Sequence, residues 1–257
     1  MRSFDYIESG KTLLTPHTTS LLAAIHEAKG RQSIQTTIRP DILGTLVAVA
    51  RIQSTDASNR IEGISTSDSR LNDLVSEKVT PRNRNEEEIA GYRDALSVIH
   101  ESHDYIPITP NVILQLHRDL FRHTPLTFAG HFKDSDNVII ERDAHGTSTV
   151  RFAPPSALVT PELIERACSA YTQAIRDGHT DPLLAIAMFI LDFTCIHPFN
   201  DGNGRMSRLL TLLMLCRNGY MVGKYISIEH LIEQSKSTYY EALAASTQGW
   251  DDKANDY

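Results

Sequence analysis

The sequence is short of several things, and each shortage excludes something. It holds three cysteines, Cys168, Cys195 and Cys216, widely spaced and with no C-x-x-C pair. Neither a disulfide framework nor a structural zinc site can be built from that, and a reducing compartment is the default expectation. Cations are not in surplus. The chain of 257 residues sets 25 Lys+Arg against 32 Asp+Glu, a formal charge of −7, and contains no basic run of five or six residues. A polynucleotide partner, which needs excess Lys and Arg to release counterions, is therefore not expected, and neither is a membrane surface. Long hydrophobic runs are missing too. The longest, Leu183 to Leu191, is closed by Asp192 and reaches about half of the roughly 20 residues a bilayer span requires, so it reads as a buried core helix. Met1 to Lys11 carries four charges and no apolar stretch, so no signal peptide is expected and the location expected is cytoplasmic. There is no internal repeat and no low-complexity segment.

What remains is ordinary for a globular protein, 41% hydrophobic and 22% charged, with enough chain for one large core or one domain with a small appendage. Helical punctuation dominates it. Leu21, Leu22, Ile25 and Ala28 followed by Gly30 predict a first amphipathic helix with a glycine stop. Pro40 opens a second, whose Leu43, Leu46, Val47 and Ala50 keep the 3.6 period; the polar stretch Ser54 to Gly63 reads as a turn or a short capped helix. A third starts near Asn85, with Glu86, Glu87 and Glu88 in the turn where the helix dipole favours anions. Thr109-Pro110, Thr160-Pro161 and Asp181-Pro182 each place a capping oxygen before a proline at a helix start. The exception is a pair of β-branched runs, Asn137 to Ile140 and Ser148 to Phe152, separated by a polar stretch with His145-Gly146; they predict a β-hairpin leaning on the helices as a flap. The fold class expected is all-α with one small hairpin.

Chemistry concentrates in one segment. After the apolar helix comes His197-Pro-Phe-Asn-Asp-Gly-Asn-Gly-Arg-Met-Ser-Arg208, then a nearly continuous apolar run from Leu209 to Leu215. Gly202 and Gly204 allow a tight turn whose N–H groups gather at the positive end of a buried helix, which is an anion site. Arg205 and Arg208, three apart, leave one face of the first helical turn and can grip successive phosphates. Cations at a helix N-terminus oppose its dipole, so their placement suggests that an anion belongs there. Asp201 is a suitable hard ligand for Mg²⁺, and His197 could take a proton from an attacking hydroxyl at neutral pH. The other ten histidines show no ligand spacing; His117 reads as a packed face residue, and Cys195 as a small buried hydrophobe.

The segment resembles the Fic motif, H-P-F-x-D/E-G-N-G-R-x-x-R, at all its fixed positions: His197, Pro198, Phe199, Asp201, Gly202, Asn203, Gly204, Arg205 and Arg208. The resemblance implies a Fic-type helical bundle that transfers AMP from ATP to a Ser, Thr or Tyr hydroxyl of a target protein. By the same resemblance His197 is the general base and Asp201 the Mg²⁺ ligand. Gly202, Asn203 and Gly204 form the phosphate nest, with Arg205 and Arg208 as clamps. Ser58-Asn-Arg-Ile-Glu62-Gly63 resembles the inhibitory pattern [S/T]-x-x-x-E-[G/N] of the subclass that carries its own inhibitor, which implies that Glu62 competes with phosphate for Arg208. Thr127 to Ile140 resembles the family's flap, with Val138, Ile139 and Ile140 placed to dock a target chain by strand addition, although Phe132-Lys133 stands where the family often has Tyr-Arg. Tyr239-Tyr240 resembles an aromatic pair that flanks adenine. The division implied is an N-terminal helical region, residues 1–84, carrying the inhibitory helix at about 54–63, and a core of residues 85–257 with the flap at about 127–152. ATP and Mg²⁺ are the small molecules implied, a hydroxyl-bearing target protein is the partner, and a homodimer is left open. Rival readings are removal of AMP with Glu62 activating water, transfer of phosphate or phosphocholine, and a non-catalytic nucleotide-sensing module.

Overall fold

Capping side chains and prolines fix where the helices begin. The computed structural model describes residues 2–38, 40–142, 148–252, 255 and 257. Asp5 accepts from the Glu8 N–H at the start of α1 (Tyr6–Thr12), and α2 (Pro16–Ile38) and α3 (Pro40–Ile61) follow. After α4 (Asp68–Val75), the Asn83 side chain accepts from the Glu86 N–H at 3.0 Å and opens α5 (Arg84–Ser102). Thr109 caps α6 (Pro110–Leu120) as its sequence predicts. An antiparallel pair, β1 (Ile139–Arg142) and β2 (Ser148–Phe152), forms the hairpin, with a register irregularity between Ile139 and Ile140. Residues 143–147, and with them His145-Gly146, lie outside the described residues. Then come α7 (Thr160–Asp177), α8 (Pro182–Ile196) with Asp181 as its cap, and α9 (Asn203–Arg217). Three further helices, α10 (Val222–Tyr225), α11 (Ile228–Gln234) and α12 (Lys236–Thr247), complete the chain. Among the described residues the fold is all-α apart from this two-stranded sheet, and no helix is long and apolar enough to cross a membrane.

Three local expectations are corrected. Gly30 does not end a helix, because α2 continues to Ile38. An interior glycine costs only about 1 kcal/mol, and no turn residue follows it to stop the hydrogen-bond ladder. Ser54 to Ile61 is neither a turn nor a separate helix but the last part of α3. Its Ser54, Thr55, Ser58 and Asn59 are buried, and Asn59 Nδ2 donates to the Thr55 carbonyl at 2.7 Å, so packing against α5 and α11 overrides a turn-like composition. Thr160 lies inside α7 rather than before it, and its hydroxyl donates back to the Ser156 carbonyl at 2.9 Å instead of capping.

The core sits where α8 and α9 are enclosed by α5, α6 and α7, with Phe189, Phe193, Phe199, Leu209 and Leu213 shut off from solvent. Inside it lies a carboxylate, which the sequence presents only as the residue closing an apolar run. Asp192 on α8 accepts from Tyr6 Oη at 2.8 Å, Trp250 Nε1 at 2.6 Å and Tyr257 Oη at 3.0 Å, and pairs with Arg2 at 3.4 Å. Burial lifts its acid up to about 6, and four donors keep the charge tolerable. Segments from both ends of the sequence are thus pinned to the helix that leads into His197. Trp250 meets Phe152 edge-on at 6.2 Å, which attaches the flap to the same group.

Candidate functional site

The turn between α8 and α9 is set by local chemistry. His197 ends α8 in the left-handed region, at φ 49° and ψ 62°, and Pro198 cannot prolong the helix. Gly202, at φ 83°, makes the second left-handed step; a Cβ there would stand 2.8 Å from the Phe121 ring. Asn203, the first residue of α9, closes a reciprocal clasp across the turn. Its Oδ1 accepts from the Phe199 N–H at 2.9 Å and its Nδ2 donates to the Phe199 carbonyl at 2.7 Å. His117 supports the loop from α6. Its Nδ1 accepts from the Gly130 N–H at 2.9 Å, so the proton resides on Nε2, which donates to the Asp201 carbonyl at 3.1 Å. The ring stacks on Phe199 with centroids 3.7 Å apart, and burial presses its pKa down to about 4, so it is a neutral packed residue as the sequence reading has it.

One cleft of about 390 Å³ brings together His197, Asn203, Gly204, Arg208, Glu62, Tyr239, Tyr240 and the flap residues Ile139 and Ile140. Glu62 reaches into it at the N-terminus of α9. Its Oε1 accepts from Arg208 at 2.7 Å and lies so close above Gly204 that a Cβ on that residue would collide with it. Ser58 holds the same edge of the guanidinium, its hydroxyl accepting from Nε at 2.8 Å and its carbonyl, beside Glu62, from Nη2 at 2.9 Å. A carboxylate, a helix N-terminus and a buried guanidinium therefore meet at one point.

Arg205 does not join them. It is 1% exposed, forms an ion pair with Glu88 of α5 at 2.6 Å and lies over the Phe121 ring at 5.0 Å. The two arginines therefore do not leave one face together, and Arg208 alone of the pair lines the cleft. Residues three apart on a helix diverge by about 60°, and on a buried helix that is enough to send each to a different neighbour. The acidic run opens α5 as expected, and two of its members are also buried ion-pair partners, Glu86 of Arg70 and Glu88 of Arg205. Arg70, gripping Glu86 through two nitrogens at 3.0 and 2.5 Å, draws that acid down to about 2. Replacing Arg205 with methionine should destabilise the fold by about 3 kcal/mol, since Glu88 keeps Arg84 but loses its buried partner. Chemical denaturation measures this; an ATP affinity loss without destabilisation would restore Arg205 as a clamp.

Asp201 is 45% exposed, lies outside the cleft lining, and has one carboxylate oxygen bound to the Gly202 N–H at 2.6 Å. Among the described residues no group of three or more His, Cys, Asp and Glu could hold a metal. The Asp201 carboxylate also stands 3.6 Å from Arg205 and 3.5 Å from Arg84.

His197 is half-buried. Burial, opposed by the Thr194 carbonyl and assisted by the nearby Lys133 charge, lowers its pKa to about 4, so it is neutral across the physiological range. A carbonyl only accepts, so the 3.4 Å contact with the Thr194 oxygen places the proton on Nδ1 and leaves Nε2 with its lone pair. Tyr239 and Tyr240 form an edge-to-face pair at 5.5 Å in the cleft wall, and Arg151 of β2 donates to the Tyr240 carbonyl at 3.0 Å, joining flap to α12. Val138 precedes β1, exposed and outside the cleft lining. Cys195 also lines the cleft, but burial pushes its thiol far up, which leaves it inert. A larger, mostly apolar cavity of about 460 Å³ between α8, α9 and α12 shares Arg208, Tyr239 and Leu243 with the cleft but lacks His197 and Gly204. Sequence reasoning missed the supports, Lys133, Asn137 and Glu88, because nothing local marks a charged residue as buried.

A family model described as Fic/DOC family matches residues 107–215, a range that contains the whole His197 to Arg208 segment and excludes Glu62. A Fido domain-containing protein of Dictyostelium discoideum is 37% identical over 90 residues, which are 34% of this chain and 58% of that protein. The protein adenylyltransferase Fic of Nematostella vectensis is 24% identical over 202 residues, 75% of this chain and 42% of that protein. The chain thus spans roughly half the length of these curated relatives. A crystal structure of a Fic family protein from Desulfovibrio desulfuricans G20 superposes with a TM-score of 0.75 at 24% identity, covering 95% of this chain and 69% of that one, a likeness of fold.

Proposed function

Because residues 107–215 carry a Fic/DOC family domain, we propose that the protein is an adenylyltransferase that moves AMP from ATP to a hydroxyl of a target protein. The observation that carries the reading is the meeting, in one cleft, of a neutral histidine base and an anion seat made by Gly204 and Arg208. The target hydroxyl gives its proton to His197 Nε2 as its oxygen attacks the α-phosphorus. The new P–O bond forms in line as the bond to the β-phosphate breaks, and pyrophosphate departs. Backbone N–H groups at the start of α9 and Arg208 receive the leaving charge, so catalysis is mostly positioning and charge stabilisation. When bound through Asp201, Mg²⁺ supplies further neutralisation of phosphate oxygens. The half-exposed β-branched face of the flap, Ile140 and Val150 at 55% and 63%, suits an extended target chain added to the hairpin.

In this reading Glu62 is an internal inhibitor. Its carboxylate sits where a phosphate would otherwise meet Arg208, and Ser58 keeps the guanidinium facing it. ATP labelled at the α- or the γ-phosphate, offered to the Glu62→Gly variant with Mg²⁺ and cell lysate, separates the chemistries. Covalent label from the α-position alone supports AMP transfer, label from the γ-position means phosphoryl transfer, and no covalent label means a nucleotide-binding module.

A further inference from the structure

We propose that Lys133 is a positioning residue for His197: its ammonium, bound to the end of α8 and to Asn137, fixes the left-handed turn that aims the imidazole. The inference rests on the role given to His197 under the proposed function, but the geometry stands by itself. His197 is one of two non-glycine residues with positive φ among those described, and such a backbone costs roughly 1–2 kcal/mol that the surroundings must offset. The last carbonyls of a helix also need partners. Here the Phe193 carbonyl accepts from the His197 N–H at 3.0 Å, and the Thr194 carbonyl receives the imidazole Nδ1 at 3.4 Å.

Lys133 supplies the next one. Its Nζ donates to the Ile196 carbonyl at 3.1 Å and to Asn137 Oδ1 at 2.9 Å, and its own N–H donates to the Pro198 carbonyl at 2.8 Å. Asn137 completes the clamp by offering Nδ2 to the carbonyls of His197 at 3.4 Å and Phe199 at 3.3 Å. The carbonyls of residues 196, 197, 198 and 199 are therefore all held by two side chains and one N–H from the stretch leading into the flap. Lys133 is 3% exposed, a burial that an ammonium rarely accepts, and desolvation presses its pKa down to about 8. A buried cation at the negative end of α8 is favoured by the helix dipole and held in place by fixed acceptors. It does not line the cleft, so it acts through His197 and not on substrate.

The test compares Lys133→Met, which keeps length but removes the donor, with Lys133→Arg, which keeps a cation that can reach the Ile196 carbonyl. In the Glu62→Gly background, Lys133→Met should lower kcat for AMP transfer by about 100-fold, the scale of a misplaced catalytic group, with KM for ATP within about twofold. Lys133→Arg should recover at least about tenfold of that loss. A readout independent of transfer is the His197 ring titration followed by NMR in the otherwise wild-type chain. Lys133 and Glu62 are the charged groups that act on the imidazole there, with Arg151 and Arg208 lining the same cleft, so deleting the Lys133 charge should raise the His197 pKa. Unchanged kcat together with an unchanged titration overturns the proposal, and so does a higher KM at constant kcat. If Lys133→Met fails to fold, Asn137→Ala cuts the other arm of the clamp; a kcat loss of about tenfold supports the proposal and an unchanged kcat overturns it. If no variant transfers AMP, the functional reading fails while the titration still decides the role of Lys133.

Discussion

Replacing His197 with asparagine should lower the rate of AMP transfer by about 10²–10⁴-fold, the usual contribution of a positioned general base, while leaving the fold intact. Asparagine is the informative choice because position 197 is left-handed, and asparagine tolerates that region better than alanine. Alanine would mix loss of the base with backbone strain. Melting temperature and turnover, measured together, separate the two. The pH profile carries the same claim further. Burial holds the His197 pKa near 4, so its unprotonated form persists well below the ordinary histidine value of about 6.5. The rate of the free enzyme should stay flat from neutral pH down through 6 and fall only as pH drops towards 4. An acid limb centred near 6.5 would show that the imidazole is solvated in the working state, and an unimpaired asparagine variant would remove it from the mechanism altogether.

Deleting the Glu62 carboxylate should act in the opposite direction. Arg208 is almost fully buried, and Glu62→Gly leaves it the Ser58 hydroxyl and carbonyl on α3 as partners. Losing a charge-assisted hydrogen bond to a competing carboxylate should raise AMP transfer by on the order of 10–100-fold. The same change should destabilise the nucleotide-free protein by roughly 1–2 kcal/mol, less than for a fully buried pair because Glu62 is 34% exposed and partly screened. ATP should then restore stability by supplying the missing anion, by about 2.7 kcal/mol at a hundred times its Kd. Thermal melts with and without ATP, run beside labelling with α-labelled ATP, test all three consequences. Equal labelling of wild type and variant would leave Glu62 as a structural partner of Arg208 and no more.

The two variants also probe each other. Glu62 is the charged group that favours protonation of His197, so its removal should move the acid limb of the rate profile further down, never up. A shift in the other direction would mean that Glu62 perturbs the histidine through a rearrangement of the turn instead of through its charge.

Much of the site was legible because its conformation is local. Pro198 stops the helix, Gly202 permits a left-handed step and Asn203 supplies a side-chain clasp whatever surrounds them, so the tight turn between two apolar helices follows largely from residue types. The same holds for the α8 cap at Asp181 and the β-branched strands of the flap. Glu62 was legible only through a three-position pattern. Its meeting with Arg208 joins residues 146 apart, and α3 carries it there because a polar stretch stays helical when packed.

What tertiary structure alone decided are the partners of buried charge. By sequence, Arg205 and Arg208 are equivalent cations on one helical turn; in the fold, Glu88 and Phe121 take the first into the core and Ser58 and Glu62 hold the second at the cleft. Lys133 and Asp192 are unremarkable charged residues in the sequence, yet the first is buried against the end of α8 and the second within α8, and each is held by groups far away in the chain. The reason is physical. Backbone preference belongs to a residue and its immediate neighbours, whereas the cost of burying a charge is set by the donors and acceptors that the whole fold delivers to it. The sequence determined the shape of the turn and the chemistry it could hold; the packing of α3, α5 and the segment before the flap determined which side chains face the cleft and which only hold it.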